Sequence, residues 1–121
     1  MAKLINLKTI SDSRGSLTVI ENLLPFSVER VFYIYNVGAN INRGGHRHIE
    51  TIQALVCVSG ECSIENNNGR QSEIINLNSP DKCLILYPED WHIMSNFTEN
   101  CVLLVFASKK YSPEDYIYEK Y

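Results

Sequence analysis

Apolar residues recur along this chain in short runs rich in β-branched and aromatic side chains, each closed by residues that favour turns. Leu17-Thr18-Val19-Ile20 follows the turn sequence Asp12-Ser13-Arg14-Gly15, and a shorter run at Leu4-Ile5-Asn6-Leu7 reads as an edge strand. Arg30 to Val37, Ile52 to Val58, Ile74 to Leu77, Cys83 to Tyr87 and Cys101 to Ala107 continue the series. Between two of these runs, Asn66-Asn67-Asn68-Gly69 is a hairpin signal, because Asn and Gly tolerate positive φ. Strands at such regular spacing predict an all-β domain, a small antiparallel barrel or jelly roll. Only the tail reads as helical. Ser112 stands as N-cap, Pro113 takes the first helical position, and Glu114 and Asp115 fill the first turn. There is no repeat, linker or low-complexity segment, so residues 1–121 are expected to form one domain.

Composition narrows the function classes. Hydrophobic content of 45% with 21% charged residues is that of a globular chain, not a disordered one. The net charge of −3 argues against broad nucleic-acid binding while leaving room for a local basic pocket around a phosphate. No apolar stretch approaches the roughly 18 residues of a membrane span, and Met1 to Asn6 lacks the apolar core of a signal peptide. The four cysteines form no C-x-x-C pair, so reduced, buried thiols and a cytoplasmic setting are expected.

The candidate chemistry centres on His46-Arg47-His48. Two histidines at i and i+2 project from one face of a strand. Gln53 and Gly60 follow, and Pro88-Glu89-Asp90-Trp91-His92 with Asn96 supplies a second cluster. The order and spacing are those of the two cupin motifs, with Gln53 where a metal-binding glutamate would stand. All three histidines of the chain fall on motif positions. They permit two chemistries. His46, His48 and His92 form a potential three-imidazole metal site, or they supply groups that titrate near neutrality for acid–base work. The neutral Gln53 removes the anion that would compensate a metal and favours proton transfer. Tyr33 and Tyr35 share a strand face that alternates with Phe32 and Ile34. Either they enter the barrel to orient a sugar or carbonyl, or they pack at its rim. Arg14, Arg30 and Arg43 are candidates for gripping a diphosphate, since a guanidinium binds phosphate oxygens in pairs. Arg43 runs directly into Gly44-Gly45-His46 and ranks first as a residue of the pocket mouth.

Over nearly its whole length the chain resembles the dTDP-4-keto-6-deoxy-D-glucose 3,4-ketoisomerases. The resemblance rests on Asp12-Ser13-Arg14-Gly15-Ser16-Leu17, Pro25 to Ile34, Arg43-Gly44-Gly45-His46-Arg47-His48, Gln53, Trp91-His92, Val102 to Ser108 and Tyr111 to Ile117. It implies a cupin fold, a homodimer, no metal or other cofactor, and a dTDP-linked 4-keto-6-deoxy sugar as substrate, whose ketone moves from C4 to C3. It implies acid–base roles for His46 and His48 and an active-site role for Tyr33; of the two histidines, His48 is the first choice as base, with His46 as partner or proton donor. Arg14, Arg43, Gln53 and His92 are implied around the hexose and diphosphate, and Tyr35 and Arg30 stand beside them as substrate-binding candidates read from the residues alone. Members that form the galacto product resemble this chain in having Arg at position 14 and His at position 92. The product implied is therefore dTDP-3-keto-6-deoxy-D-galactose, used next by an aminotransferase on the way to a surface glycan. The chain departs from the family pattern at Arg47, at Ile49-Glu50 and at Cys83. A gluco product, a metal-dependent cupin enzyme, a noncatalytic sugar-nucleotide-binding cupin and a sugar epimerase are the alternatives.

Overall fold

The turn-punctuated apolar runs form twelve short strands. A computed structural model describes residues 1–121 and arranges ten of the strands in two five-stranded antiparallel sheets. The first sheet has the order β1 (Lys3–Asn6), β9 (Lys82–Leu86), β6 (Gln53–Ser59), β11 (Val102–Ala107), β4 (Arg30–Tyr35). The second runs β12 (Tyr116–Ile117), β5 (Arg43–His48), β10 (Trp91–Ser95), β7 (Cys62–Asn67), β8 (Ser72–Leu77). β2 (Lys8–Asp12) and β3 (Gly15–Val19) make a hairpin separate from both. The expected hairpin at Asn66 to Gly69 joins β7 to β8. Asn68 Oδ1 accepts from the Arg70 and Gln71 N–H groups at 2.9 Å, which fixes the turn.

Strand alternation places the core between the sheets. Leu55, Ile64, Leu77, Leu84, Leu86, Leu103 and Val105 are almost wholly buried there. β6 is apolar on both faces for a physical reason. Its outward residues Ala54 and Val56 join Leu7, Cys83 and Ile85 in a second core under the segment that leads into β4. Gly60, between β6 and β7, has φ +66°, and an added Cβ would lie 2.8 Å from the Cys101 Cα. Glycine is required by both the backbone and the space.

The C-terminal helix expected from the sequence is not formed. In its place is a three-residue 3₁₀ turn, Pro113–Asp115, followed by β12. Ser112 is extended, and its hydroxyl donates to Glu114 Oε2 at 2.8 Å instead of capping a backbone N–H. After one turn the chain is captured by the edge of β5, where Tyr116 pairs with His48 and Ile117 with Arg47. Sheet pairing outcompetes a helix too short to sustain itself. No helix is long and apolar enough to cross a membrane.

Candidate active site

β5 carries His46 and His48 on one face and sits between two strands that complete the cluster. On one side His92 of β10 pairs with His46, and on the other Tyr116 of β12 pairs with His48. The His46 ring centroid lies 5.0 Å from His48, 4.9 Å from His92 and 4.6 Å from Tyr116. The close approach of β5 to β10 needs Gly44, whose φ is +87° and where a Cβ would stand 2.9 Å from the His92 carbonyl oxygen. The irregular register just after His92 lies at the same place. Such bulges re-aim side chains next to functional sites.

His46, His92 and Tyr116 border a cavity of about 410 Å³. His46, His92 and Arg43 come from the second sheet, and Gln53, Arg30, Phe32 and Ile34 reach it from the first. Tyr111, Tyr116 and Tyr118 of the C-terminal segment close one side. His48 is packed against His46 and is not itself part of the cavity wall.

Hydrogen bonds fix which ring nitrogens are bare. His48 Nδ1 lies 2.8 Å from Asp115 Oδ2, so Nδ1 carries the proton toward that carboxylate and Nε2 is left as the base. His92 Nδ1 lies 3.1 Å from the Asp90 carbonyl, which can only accept, so its Nε2 is bare too. Both Nε2 atoms and Gln53 Oε1 are buried without a protein partner. Three orphaned acceptors at one site call for a ligand rich in hydroxyl donors.

Burial lowers the pKa of His46 to about 4 and of His92 to about 3. It lowers His48 as well, but there the Asp115 carboxylate pulls the other way. Asp115 is itself well held. Burial works to raise its pKa, yet donors from Thr51 Oγ1 at 2.5 Å, the Glu50 N–H at 2.8 Å and His48 outweigh that and lower it. The three imidazoles are neutral at pH 7, and only His48 has a carboxylate hydrogen-bonded to its ring to sustain its basicity. Their nitrogens do not converge within 4.8 Å of one another as a set, unlike the three thiols of Cys57, Cys62 and Cys101.

The site residues predicted from the sequence divide into two groups. His46, His48, His92, Gln53, Arg30 and Arg43 come together here. Tyr33, Tyr35 and Arg14 do not. β4 turns Phe32 and Ile34 inward, so Tyr33 and Tyr35 point out, 61% and 57% exposed, with rings 5.6 Å apart. Projection of these tyrosines into the barrel of their own chain is thereby corrected by strand alternation. Arg14 is at the tip of the β2–β3 hairpin, its side chain 88% exposed and paired with Asp12 at 2.6 Å. Arg47 points away from the histidines, as alternation predicts, with its guanidinium 4.7 Å from the Tyr121 ring centroid. Asn96 stands instead in a cleft beside Glu61 and Cys62. Sequence reading missed Asp115, Thr51, Tyr116 and Tyr118. Asp115 looked like a first-turn helix acid, and nothing local linked it to a histidine 67 residues away.

The family model for FdtA (WxcM-like, C-terminal) matches residues 1–121. The chain is 43% identical over 117 residues to the TDP-4-oxo-6-deoxy-alpha-D-glucose-3,4-oxoisomerase of Aneurinibacillus thermoaerophilus, covering 95% of this chain and 84% of that one. Among solved structures, it is similar to a histidine-to-asparagine mutant of the QdtA 3,4-ketoisomerase from Thermoanaerobacterium thermosaccharolyticum in complex with TDP-4-keto-6-deoxyglucose. The TM-score is 0.94 at 41% identity, over 98% of this chain and 87% of that one. The WlaRB TDP-quinovose 3,4-ketoisomerase from Campylobacter jejuni gives a TM-score of 0.92 at 41% identity, over 98% and 92% of the two chains. The chain belongs to this family of sugar 3,4-ketoisomerases, cupin-like isomerases, as the sequence resemblance implied.

Proposed function

We propose that this member of the FdtA family converts dTDP-4-keto-6-deoxy-D-glucose to dTDP-3-keto-6-deoxy-D-galactose by acid–base proton transfer, without a metal. The observation that carries this reading is the buried imidazole cluster with bare Nε2 atoms, one of them backed by Asp115. The C4 ketone acidifies the C3 hydrogen. His48 removes that proton, and an enediolate forms across C3 and C4. Return of a proton to C4, and transfer of the O3 proton to O4, leaves the ketone at C3. No electrons leave the sugar. His46 serves as partner in the relay, and the Gln53 amide and His92 hold the hydroxyls, with Arg30 and Arg43 toward the diphosphate. With His48 Nε2 acting as the base, the two remaining acceptors without protein donors, on Gln53 and His92, suit the C2 and C3 hydroxyls of the hexose, and the neutral Gln53 gives a metal no charge compensation.

Ring geometry supports the galacto configuration. The C3 hydrogen of the gluco substrate and the C4 hydrogen of a galacto product lie on the same ring face. One histidine cluster suffices to take and return the proton. A gluco product needs a second donor on the opposite face, and the cluster here is confined to one wall around β5 and β10. The product would pass to an aminotransferase and thence to a surface glycan.

The active unit we propose is a homodimer. The outer face of β4 exposes Val31, Tyr33 and Tyr35 and continues through Phe106 into an apolar groove of Ile20, Leu24, Phe26 and Val28. Ile10 and Leu17 are equally exposed on the neighbouring hairpin. A second copy covering this surface would bury it. It would also bring Arg14 and Tyr33 to the partner's cavity, where the family resemblance wants them, with Tyr35 beside Tyr33. Four reduced thiols suit a cytoplasmic enzyme.

The test is NMR of the amino sugar formed when the purified protein and a 3-aminotransferase act on the 4-keto substrate. A small H3–H4 coupling, from an axial C4 hydroxyl, is expected. A large coupling gives the gluco configuration and overturns the stereochemical assignment. Absence of any 3-amino sugar overturns the ketoisomerase reading.

A further inference from the structure

Three of the four cysteines meet in the core, far from the histidines. Cys57 lies on β6, Cys62 opens β7 and Cys101 precedes β11, and their Sγ atoms all fall within 4.8 Å of one another. Cys57 Sγ is 3.5 Å from Cys101 Sγ and 3.2 Å from the Ser59 carbonyl oxygen. None of the three is more than 3% exposed, and none is oxidised. Cys57 stands four residues along β6 from Gln53, or roughly 13 Å at the rise of a strand. The ketoisomerase chemistry uses none of these thiols. One pair at 3.5 Å and the whole trio within 4.8 Å compare with the sulfur–sulfur distances of about 3.5–4 Å expected around an ion with bonds near 2.3 Å.

We infer that Cys57, Cys62 and Cys101 form a binding site for a trivalent thiophilic ion, represented by arsenic(III) presented as arsenite. Charge selects the valence. The three thiols belong to one buried apolar cluster with Leu55, Ile64 and Leu103, and the one charged group that acts on Cys57 is the carboxylate of Glu61. Three thiolates around a monovalent or divalent ion would leave net negative charge in this apolar core, which is costly without a paired cation. Around a trivalent ion the complex is neutral. The reaction balances without redox. Three As–O bonds of arsenous acid break and three As–S bonds form, and the thiol protons leave with the hydroxyls as three waters. Prior ionisation of all three thiols is unnecessary.

Access and consequence also follow from the fold. Cys62 borders a surface cleft of about 170 Å³ together with Glu61, Ser63 and Asn96, and this is the entry route. β6 and β11 belong to one sheet and β7 to the other, so the bound ion staples the two sheets. A ligand that binds only this folded arrangement stabilises it.

The experiment is native mass spectrometry and thermal melting of the reduced full chain with arsenite, alongside Cys62→Ser and Cys83→Ser. Cys83 is buried in the other core cluster and serves as the control. The wild type and Cys83→Ser are expected to gain one arsenic in place of three protons and to melt at higher temperature. Cys62→Ser is expected to lose that adduct. If Cys62→Ser does not fold, X-ray absorption of the wild-type adduct decides, with three sulfurs around arsenic expected. No adduct, a two-sulfur adduct that keeps a hydroxyl, or the same three-proton adduct in Cys62→Ser would each overturn the inference. Preferential loading with zinc(II) would overturn the trivalent assignment.

Discussion

Asp115 gives His48 its chemistry. Burial alone would leave three weakly basic imidazoles, and His46 at about 4 and His92 at about 3 are what that looks like. At His48 the carboxylate fixes the Nδ1–H tautomer and opposes the loss of basicity. Replacing His48 by Asn is expected to lower kcat about 10²–10⁴-fold, the range of a general base. Asp115→Asn is expected to cost about 10–100-fold, the usual effect of removing an orienting partner. The two substitutions differ in their pH profiles. A base must be neutral to act, so kcat/KM falls as pH drops through the His48 pKa, which lies below the ordinary 6.5. Asp115 holds that pKa up, and its loss is expected to move the acidic limb to lower pH. A reduced rate with an unmoved limb would make Asp115 a structural residue only. The measurement is kcat/KM against pH for wild type and Asp115→Asn.

At the scale of elements, hydrophobic alternation and turn residues made the apolar strands, their antiparallel class and the shared face of His46 and His48 legible in the sequence, though not the strand order or the more polar strands such as Lys8–Asp12 and Trp91–Ser95. Whatever depended on contacts distant in sequence was not. The tail carried local helix signals at Ser112 and Pro113, but the free edge of β5 captured Tyr116 and Ile117 and turned the first-turn acid into the partner of His48. Tyr33 and Tyr35 were identified as a common face, and alternation alone could not say which face of β4 meets the cavity. The hairpin of β2 and β3 raises the same question between chains. Arg14 at its tip hydrogen-bonds only to Asp12 within its own subunit. If it acts in a partner's cavity, a chain with Arg14→Ala and a chain with His48→Asn are complementary. Each alone is expected to be nearly inactive. Coexpressed and purified as mixed dimers, they are expected to recover activity through the one cavity that has both residues intact. Mixed dimers as inactive as either parent would show that Arg14 does not act across subunits.

For the whole molecule, the same buried histidines make stability depend on pH. Unfolding returns His46, His48 and His92 to water and to their ordinary pKa of 6.5, whereas the folded values are lower, about 4 for His46 and about 3 for His92. Between pH 6.5 and those values the unfolded chain therefore binds more protons than the folded one. Stability is full above about 6.5 and falls as pH falls through that window. Each proton taken up on unfolding steepens the fall by at most about 1.4 kcal/mol per pH unit. His92, 1% exposed, comes nearest that limit, and His46, which borders the cavity, falls further short of it. Two carboxylates modify the lower end. Burial raises the pKa of Asp90, so the folded state gains relative stability as that group takes up its proton first. Asp115 is lowered, and its contribution is lost as pH falls below the ordinary 3.8. Three histidines against one raised aspartate leave the balance with the histidines between pH 6.5 and 5. Urea melts are expected to give a midpoint that drops steadily over that range, with a smaller drop in His92→Asn, where one of the protons can no longer be taken up. A wild-type midpoint that does not change from pH 7 to 5 would mean that the imidazoles are protonated within the fold. The cavity would then hold cations, and the bare Nε2 atoms on which the proton transfer depends would not exist.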